Sequence, residues 1–269
     1  MVYKKNPLVS VIIPVYCREL FVWKTLKNVY DNDYRPIELI VVNDGSTDRS
    51  LEVLQTFQQE FRNEEFDIKV LDQPNSGAPA ARNLGYTHAT GDFIQFLDSD
   101  DFINPKKFTT QIALMDDERA DFGLCDFEMV YTGNNKRIYH SNAEKIKKVL
   151  RTHGSFGCGS PLLRRELADK IRWNTKLKRN QDVDYFQKAA LLATNIAYTA
   201  VPLYVYVRHE NERISQSYSR TKPVYNLRIQ SLIEIWKYNK NRFYLSLAIV
   251  NLFLSLFRFK IRGSQSYVD

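Results

Sequence analysis

Residues 8–16 read LVSVIIPVY. This apolar, β-branched run, closed by proline, predicts a buried strand over 8–15. Apolar residues at helical spacing over 19–31 then predict a helix, and residues 37–42 predict a second buried strand. Because buried strands that alternate with helices pair in parallel, the chain is predicted to be an α/β protein with helices on both faces of its sheet.

The alternation continues to residue 97. A helix capped by Ser46 or Thr47, with Asp48 in its first turn, is predicted to run to about Phe61. It is followed by a strand at 68–71, a turn at Asn75-Ser76-Gly77, a helix over 78–89 and a strand over 93–97. The second half is less regular, with predicted helices at 108–115, 142–152, 164–170 and 182–194, strands at 122–131 and 196–207, and a loop at 154–160.

The composition fits one large α/β domain with an appendage, since the chain has 269 residues and is 44% hydrophobic. Its three cysteines, Cys17, Cys125 and Cys158, are widely spaced, and no CxxC pair exists. This pattern argues against a disulfide framework or a zinc site. A polar N-terminus runs directly into the first strand and leaves no room for a signal peptide, so we expect a cytoplasmic protein.

The net charge of +7 is concentrated at the C-terminal end. Residues 220–262 contain nine Lys or Arg and one acid, whereas residues 1–219 balance to zero. Because a nucleic-acid interface usually runs through the fold itself, this distribution argues against a nucleic-acid partner. Residues 243–257 are nearly all apolar but too few for a bilayer span, which needs about 20 residues. We expect a helix that lies peripherally on the inner face of the membrane or packs against a partner or the catalytic domain. The sequence leaves open whether the protein forms a homo-oligomer.

An acidic loop, Asp98-Ser99-Asp100-Asp101, follows the fourth predicted strand. Two carboxylates separated by one small residue suit a hard divalent cation, although Asp and Ser are also common in solvated turns. Asp44 and Gly45 follow the second strand, where ligands of parallel sheets bind and where a glycine lets a ligand approach the backbone. Arg82, on the helix after the 75–77 turn, is well placed for a phosphate. Together these residues favour a nucleotide-diphosphate site.

Four motifs, in order and at strand ends, resemble the nucleotide-binding half of a family-2 glycosyltransferase with the GT-A fold, a Rossmann-like, mainly parallel sheet flanked by helices. They are VSVIIPVY at 9–16, ELIVVNDGSTD at 38–48, NSG at 75–77 with AARN at 80–83, and GDFIQFLDSDD at 91–101. The resemblance implies a catalytic domain over 1–219, with a nucleotide-binding half at 1–101 and an acceptor-binding half at 102–219. Residues 220–269, which match nothing in the family, would form a basic, apolar helical tail.

The resemblance also implies a site for a UDP-sugar and for Mn2+ or Mg2+. The residues that would line or bond to the nucleobase are Pro14, Val15, Tyr16 and Asp44. The donor site would also include Gly45, Asn75, Gly77, Ser99 and Arg82, of which Arg82 contacts the diphosphate. The metal would be bound by Asp98, which is shared with the ribose, by Asp100 as main ligand, and by His209, while Asp101 is structural. Cys17 stands where the family often has Asn.

Inverting transfer needs a base that takes the proton of the acceptor hydroxyl. In the family this base is the Asp of a Glu-Asp pair that opens a helix, and Gln181-Asp182 stands in that position here. Asp184 competes with Asp182, but residues two apart on a helix do not share a face. We therefore favour Asp182 as the catalytic base, with Gln181 lowering the negative charge beside it.

These features predict an inverting transferase that moves a sugar from a UDP-sugar to a hydroxyl of a glycan or lipid-linked acceptor, in cell-surface polysaccharide or lipopolysaccharide synthesis. A sugar-phosphate nucleotidyltransferase is an alternative, but it usually has a glycine-rich loop with Arg and Lys where residues 14–17 stand. A non-catalytic binding protein of the same fold is a second alternative, against which Asp98, Asp100 and Asp182 argue. A dehydrogenase is excluded because no GxGxxG follows the first strand.

Overall fold

The computed structural model describes residues 6–143 and 156–209, which form one mixed sheet with helices on both faces. The strands are β1 (Val9–Val15), β2 (Ile37–Asp44), β3 (Phe66–Gln73), β4 (Phe93–Phe96), β5 (Phe102–Ile103), β6 (Phe122–Tyr131), β7 (Arg137–His140), β8 (Leu162–Arg164) and β9 (Ile196–Arg208). The helices in these ranges are α1 (Val22–Tyr30), α2 (Ser50–Phe61), α3 (Ala78–His88), α4 (Lys107–Asp117), α5 (Arg165–Ala168) and α6 (Gln181–Leu192).

The sheet has a parallel half and a mixed half. Strands β3, β2, β1 and β4 lie in that order and pair in parallel. Strand β8 then joins antiparallel between β4 and β6. Strand β9 pairs in parallel with β6 and antiparallel with β5, and β7 pairs antiparallel with β6. The predicted α/β class with a mainly parallel first half is therefore confirmed.

Two layers of apolar side chains cover the two faces of the sheet. Helices α1, α2 and α4 pack on one face through side chains such as Leu26 and Phe57. Helices α3, α5 and α6 pack on the other through side chains such as Leu167 and Phe186. Every residue of β1 and β2 is buried. Burial on both faces explains why these strands are almost continuously apolar instead of alternating.

Helix α2 begins at Ser50, so the predicted cap at Ser46 or Thr47 is wrong. Ser46 bonds to another loop instead, whereas Asp48 bonds both to that loop and to the backbone N of Ser50 (3.0 Å). The hydroxyl of Ser46 accepts a hydrogen bond from the backbone N of Cys17 (3.0 Å), and Asp48 accepts one from the backbone N of Glu19 (3.2 Å). These bonds tie the loop after β2 to the loop after β1 and hold both at one edge of the sheet.

Other boundaries differ from the prediction for physical reasons. Strands β5, β7 and β8 have two to four residues, too few to show a two-residue period, and were not predicted. The helix predicted over 164–170 is only the short α5, and α1 begins at Val22. The helix predicted over 142–152 falls almost entirely outside the described residues, and the tail from residue 220 lies wholly outside them. No helix in the described ranges is long and apolar enough to cross a membrane.

Candidate active site

The carboxyl ends of β1, β2 and β4 lie side by side because these strands are neighbours in the parallel half of the sheet. The loops that follow them carry Tyr16, Asp44 and the acidic loop. The N-terminus of α6 reaches the same edge, since the side-chain oxygen of Gln181 accepts a hydrogen bond from Nη1 of Arg82 at 3.4 Å. Residues far apart in the sequence are thus brought to one edge of the sheet.

Asp44 ends β2 with its side chain almost fully buried. Its Oδ1 accepts hydrogen bonds from the backbone N of Ser76 (2.8 Å) and from Nε2 of Gln73 (2.7 Å). Its Oδ2 accepts one from the backbone N of Gly77 (2.8 Å). A carboxylate has about four acceptor positions. Asp44 therefore fixes the 75–77 turn and retains capacity for one more donor, such as the N–H of a nucleobase.

Gly45 is required by the fold itself. Its φ is +67°, and a Cβ at this position would lie 2.6 Å from the backbone N of Asn75. The sequence suggested that this glycine admits a ligand, and the structure shows that the neighbouring backbone already occupies the space beside it. Gly77, with φ +87°, likewise has a backbone conformation that L side chains rarely adopt.

Arg82 lies on α3 with only 6% of its surface exposed. Its Nη2 donates to Oδ1 of Asp98 at 2.5 Å, and its Nη1 donates to Gln181. The guanidinium also lies 4.4 Å over the ring of Trp173. These contacts hold a positive charge between the acidic loop and α6, where a diphosphate would meet it without reorganisation of the side chain.

Asp100 is brought next to His209, as the resemblance implied for the metal ligands. Its Oδ2 lies 3.4 Å from Nε2 of His209 and 4.0 Å from Nε of Arg18. Burial raises the pKa of Asp100 and the charge of Asp98 raises it further, against the opposing effects of Arg18 and His209. A raised carboxyl pKa means that the ionised form lacks full compensation, so a cation bound here would be stabilised.

Asp101 is completely buried and holds the acidic loop in place. Its Oδ2 accepts a hydrogen bond from the hydroxyl of Tyr204, and its Oδ1 accepts one from the backbone N of Val207 at 2.8 Å. Burial and the charges of Asp98 and Asp100 raise the pKa of Asp101 well above its usual value. This residue has the structural position predicted for it and anchors the loop on β9.

The residues at the acidic loop fit a metal ion that is coordinated by the protein and by a bound diphosphate together. Within 6–143 and 156–209, no three His, Cys, Asp or Glu side chains converge to form a complete metal site. Asp100 and His209 offer one oxygen and one nitrogen, while Asp98 is bonded to Arg82. Mg2+ is commonly held by one or two carboxylates together with substrate phosphates. The donor set thus fits an ion shared with a diphosphate and does not fit an ion held by the protein alone.

Asp182 and Asp184 both lie in the first turn of α6 but in different surroundings. Asp184 is 1% exposed, and its Oδ2 lies 2.7 Å from Nζ of Lys188. Asp182 is partly exposed. Asp182 directly follows Gln181, whose side chain accepts a hydrogen bond from Arg82, and Arg82 also bonds to Asp98, so Asp182 lies at the end of α6 that Arg82 connects to the acidic loop. The geometry therefore favours Asp182 as the residue that can meet a substrate.

The remaining predicted donor-site residues differ in exposure. Tyr16 is 48% exposed at the end of β1, whereas Pro14 and Val15 are buried within that strand. Val15 has no exposed surface, so Tyr16 is the residue at this strand end that presents its side chain to a ligand. Asn75 is exposed and Ser99 is buried.

Sequence reasoning missed Trp173 and Tyr204. Trp173 stacks on Tyr185, with ring centroids 4.3 Å apart, and its ring also lies 4.4 Å from the guanidinium carbon of Arg82. Tyr204 reaches the acidic loop from 103 positions along the chain. Each is an apolar or aromatic residue in ordinary core sequence, so no local pattern distinguishes it from a packing residue.

The sequence model described as Glycosyl transferase family 2 matches residues 10–177, more than half of the chain. The chain belongs to this family. An uncharacterized glycosyltransferase of Haemophilus influenzae is 33% identical to this family-2 chain over 174 residues, which is 62% of the chain and 66% of the relative. The poly(ribitol-phosphate) beta-N-acetylglucosaminyltransferase TarS of Staphylococcus aureus is 27% identical over 236 residues. The family-2 chain spans 40% of the length of TarS, and the match covers 84% of the chain.

Two solved structures share the fold of the family-2 chain. TarS 1–349 in complex with UDP-GlcNAc matches with a TM-score of 0.75 and 23% identity, over 92% of the chain and 72% of that structure. The mannosyltransferase PcManGT from Pyrobaculum calidifontis, in complex with GDP-Man and Mn2+, matches with a TM-score of 0.62 and 17% identity, over 99% of the chain and 77% of that structure. The predicted GT-A fold is confirmed.

Proposed function

We propose that the chain is an inverting, metal-dependent glycosyltransferase that moves a sugar from a UDP-sugar to a hydroxyl of a glycan or lipid-linked acceptor. One observation carries the proposal: the buried Arg82 bonds to Asp98 of the acidic loop and to Gln181, the neighbour of Asp182. A fixed charge for a diphosphate and a carboxylate for an acceptor proton thus share one edge of the sheet. Family membership favours this reaction over nucleotidyl transfer or binding without catalysis.

Asp182 is proposed to act as the base in a single displacement. The acceptor oxygen attacks the anomeric carbon and the bond from that carbon to the diphosphate breaks. The proton of the acceptor hydroxyl passes to the carboxylate of Asp182, and UDP leaves from the opposite face of the sugar. Asp184 is unsuited to this step because it is enclosed and paired with Lys188.

Arg82 and the acidic loop are proposed to bind the diphosphate. Arg82 is held by Asp98 and stacked on Trp173, so its charge needs no reorganisation when UDP is released. Asp100 and His209 would hold a divalent cation, which would supply positive charge to the leaving diphosphate. The imidazole favours Mn2+ over Ca2+.

Uracil is proposed as the nucleobase because Asp44 has capacity for one further donor beside the exposed Tyr16. TarS has been solved with UDP-GlcNAc, whereas PcManGT has been solved with GDP-Man. The higher structural similarity to TarS supports a UDP-linked donor.

The acceptor half is proposed to be 102–219, and the acceptor a surface glycan or a lipid-linked precursor. TarS, by its name, transfers N-acetylglucosamine to poly(ribitol-phosphate), a polymer that bears hydroxyl groups. The basic tail over 220–269 is proposed to hold the enzyme peripherally at the cytoplasmic face of a membrane, near such an acceptor.

A donor screen tests the proposed reaction. The full chain is incubated with UDP-, GDP- and dTDP-sugars, and nucleotide release is measured with Mn2+ and with EDTA. We expect release from at least one UDP-sugar, and a loss of about 10²-fold or more when EDTA removes the metal. Release from a GDP- or dTDP-sugar only would reject the uracil assignment, and release that EDTA leaves unchanged would reject metal dependence.

A further inference from the structure

Lys107, the first residue of α4, has a completely buried side chain. Its Nζ donates to the backbone O of Ser160 (3.0 Å) and to Oε1 of Gln111 (2.5 Å), and it lies 3.7 Å from Sγ of Cys125. Burial lowers the pKa of this amine, and no carboxylate within the described ranges forms an ion pair with it. Burying an amine without an opposite charge costs free energy, which its hydrogen bonds must offset.

The carbonyl of Ser160 is the point on which these donors converge. It accepts hydrogen bonds from Lys107, from Nε2 of Gln111 (3.2 Å) and from Sγ of Cys125 (3.4 Å). The hydroxyl of the same serine accepts one from Nδ2 of Asn142 at 3.3 Å. Ser160 therefore fixes the end of residues 156–160, which we call the glycine loop.

The glycine loop packs against the ring of Tyr204. A Cβ on Gly157 would lie 2.5 Å from Cε1 of that ring, and a Cβ on Gly159 would lie 2.3 Å from its Cδ2. The carbonyl of Gly159 also accepts a hydrogen bond from Nε2 of Gln95 in β4, at 3.3 Å. The loop thus borders the ring on two edges, and the hydroxyl of Tyr204 donates to Asp101 of the acidic loop.

We propose that Lys107 is a positioning residue for sugar transfer. Lys107 fixes the position of the glycine loop, and the glycine loop packs against the ring of Tyr204. The hydroxyl of Tyr204 then fixes the position of Asp101 and of the neighbouring Asp100. The inference rests on the proposed function, because it concerns the acidic loop of the same site. Lys107 holds the glycine loop in position and itself touches neither donor nor acceptor.

Lys107→Met tests the role because methionine keeps a long apolar side chain and removes the donors. We expect kcat for the preferred UDP-sugar to fall about 10- to 100-fold at a temperature where the variant is folded, since small misplacements of reacting groups have effects of this size. The apparent Kd of Mn2+ in the presence of UDP should rise, while KM for the acceptor stays within about twofold. The matched control is Lys106→Met, which changes the exposed neighbour and should leave kcat unchanged.

A double-mutant cycle with Tyr204→Phe separates positioning from general loss of stability. Phe keeps the ring against the glycine loop and removes the hydroxyl that reaches Asp101. If both residues act through one chain of contacts, the double variant should lose no more than about threefold beyond the larger single loss, whereas independent effects would multiply. Should Lys107→Met fail to fold, Gln111→Met replaces it in the cycle, because it removes one donor to the same carbonyl and leaves the amine.

The outcomes distinguish this inference from the proposed function. If the wild-type chain releases no UDP from any donor, the proposed function fails and the Lys107 role falls with it. If the wild type is active and Lys107→Met matches Lys106→Met in kcat and in Mn2+ affinity, only the Lys107 role is wrong. Fully multiplicative losses in the cycle with Tyr204→Phe would also overturn it.

Discussion

In an Asp182→Asn variant, kcat for transfer is expected to fall about 10²- to 10⁴-fold, the usual contribution of a positioned general base. Asparagine keeps the size of the side chain and its hydrogen bonding but cannot take the acceptor proton. The Kd of the UDP-sugar should change by less than about threefold, because Asp182 is proposed to act on the acceptor. Steady-state UDP release with acceptor gives kcat, and isothermal titration calorimetry gives the Kd of the donor.

Asp184→Asn is the matched comparison because it makes the same change two residues away. Asp184 and Lys188 are 1% and 6% exposed, so removing the carboxylate charge leaves a buried ammonium. The free energy of unfolding is expected to fall by about 3–5 kcal/mol, while transfer per folded molecule persists. Normal transfer by Asp182→Asn, together with loss of transfer in folded Asp184→Asn, would show that the base assignment is wrong.

Asp100→Asn is expected to lower kcat/KM for the UDP-sugar about 10²- to 10³-fold and to weaken Mn2+ binding in the presence of UDP. The carboxylate of Asp100 faces His209 at 3.4 Å, and burial together with the charge of Asp98 raises its pKa. Replacing it with a neutral amide removes the stronger of the two proposed ligands. Mn2+ titration of nucleotide release in both proteins measures the effect.

The control for Asp100→Asn is Asp117→Asn, which removes one exposed carboxylate at the end of α4 and should change neither value. An Asp100→Asn protein with wild-type turnover and unchanged Mn2+ dependence would contradict the role of the acidic loop. A loss of donor turnover without any change in Mn2+ dependence would assign Asp100 to the sugar or ribose instead.

The fold of the first half could be predicted because its signals are local. Strands β1 and β2 are buried on both faces and are therefore apolar throughout, and each ends in a polar loop. The start of α2 could not be predicted from its cap residues, because Ser46 bonds to the loop after β1, and the side chain that bonds to the backbone N of Ser50 is that of Asp48. Strand β8 has only three residues, and its existence depends on its neighbours β4 and β6.

The residues of the candidate site that directly follow strands were also predictable. Asp44 and the acidic loop follow strands directly, so their convergence follows from strand order. The supports of the site were not predictable, because they come from distant parts of the chain. Trp173 under Arg82 and Tyr204 on Asp101 are contacts across about a hundred residues or slightly fewer, and such contacts leave no periodic trace in sequence.

A crystal structure of the chain with UDP and Mn2+ would show whether the carboxyl edge of β1, β2 and β4 holds a UDP-sugar. We expect a uracil N–H within about 3 Å of Asp44 and the diphosphate in contact with Arg82, with the metal bound to Asp100. The opposite edge of the sheet offers a contrast, since a cavity of about 520 Å³ lies there, lined by residues that include Leu8, Glu38 and Asp67. UDP bound in that cavity, or at the carboxyl edge without contact to Asp44 and Arg82, would show that the proposed donor site is wrong.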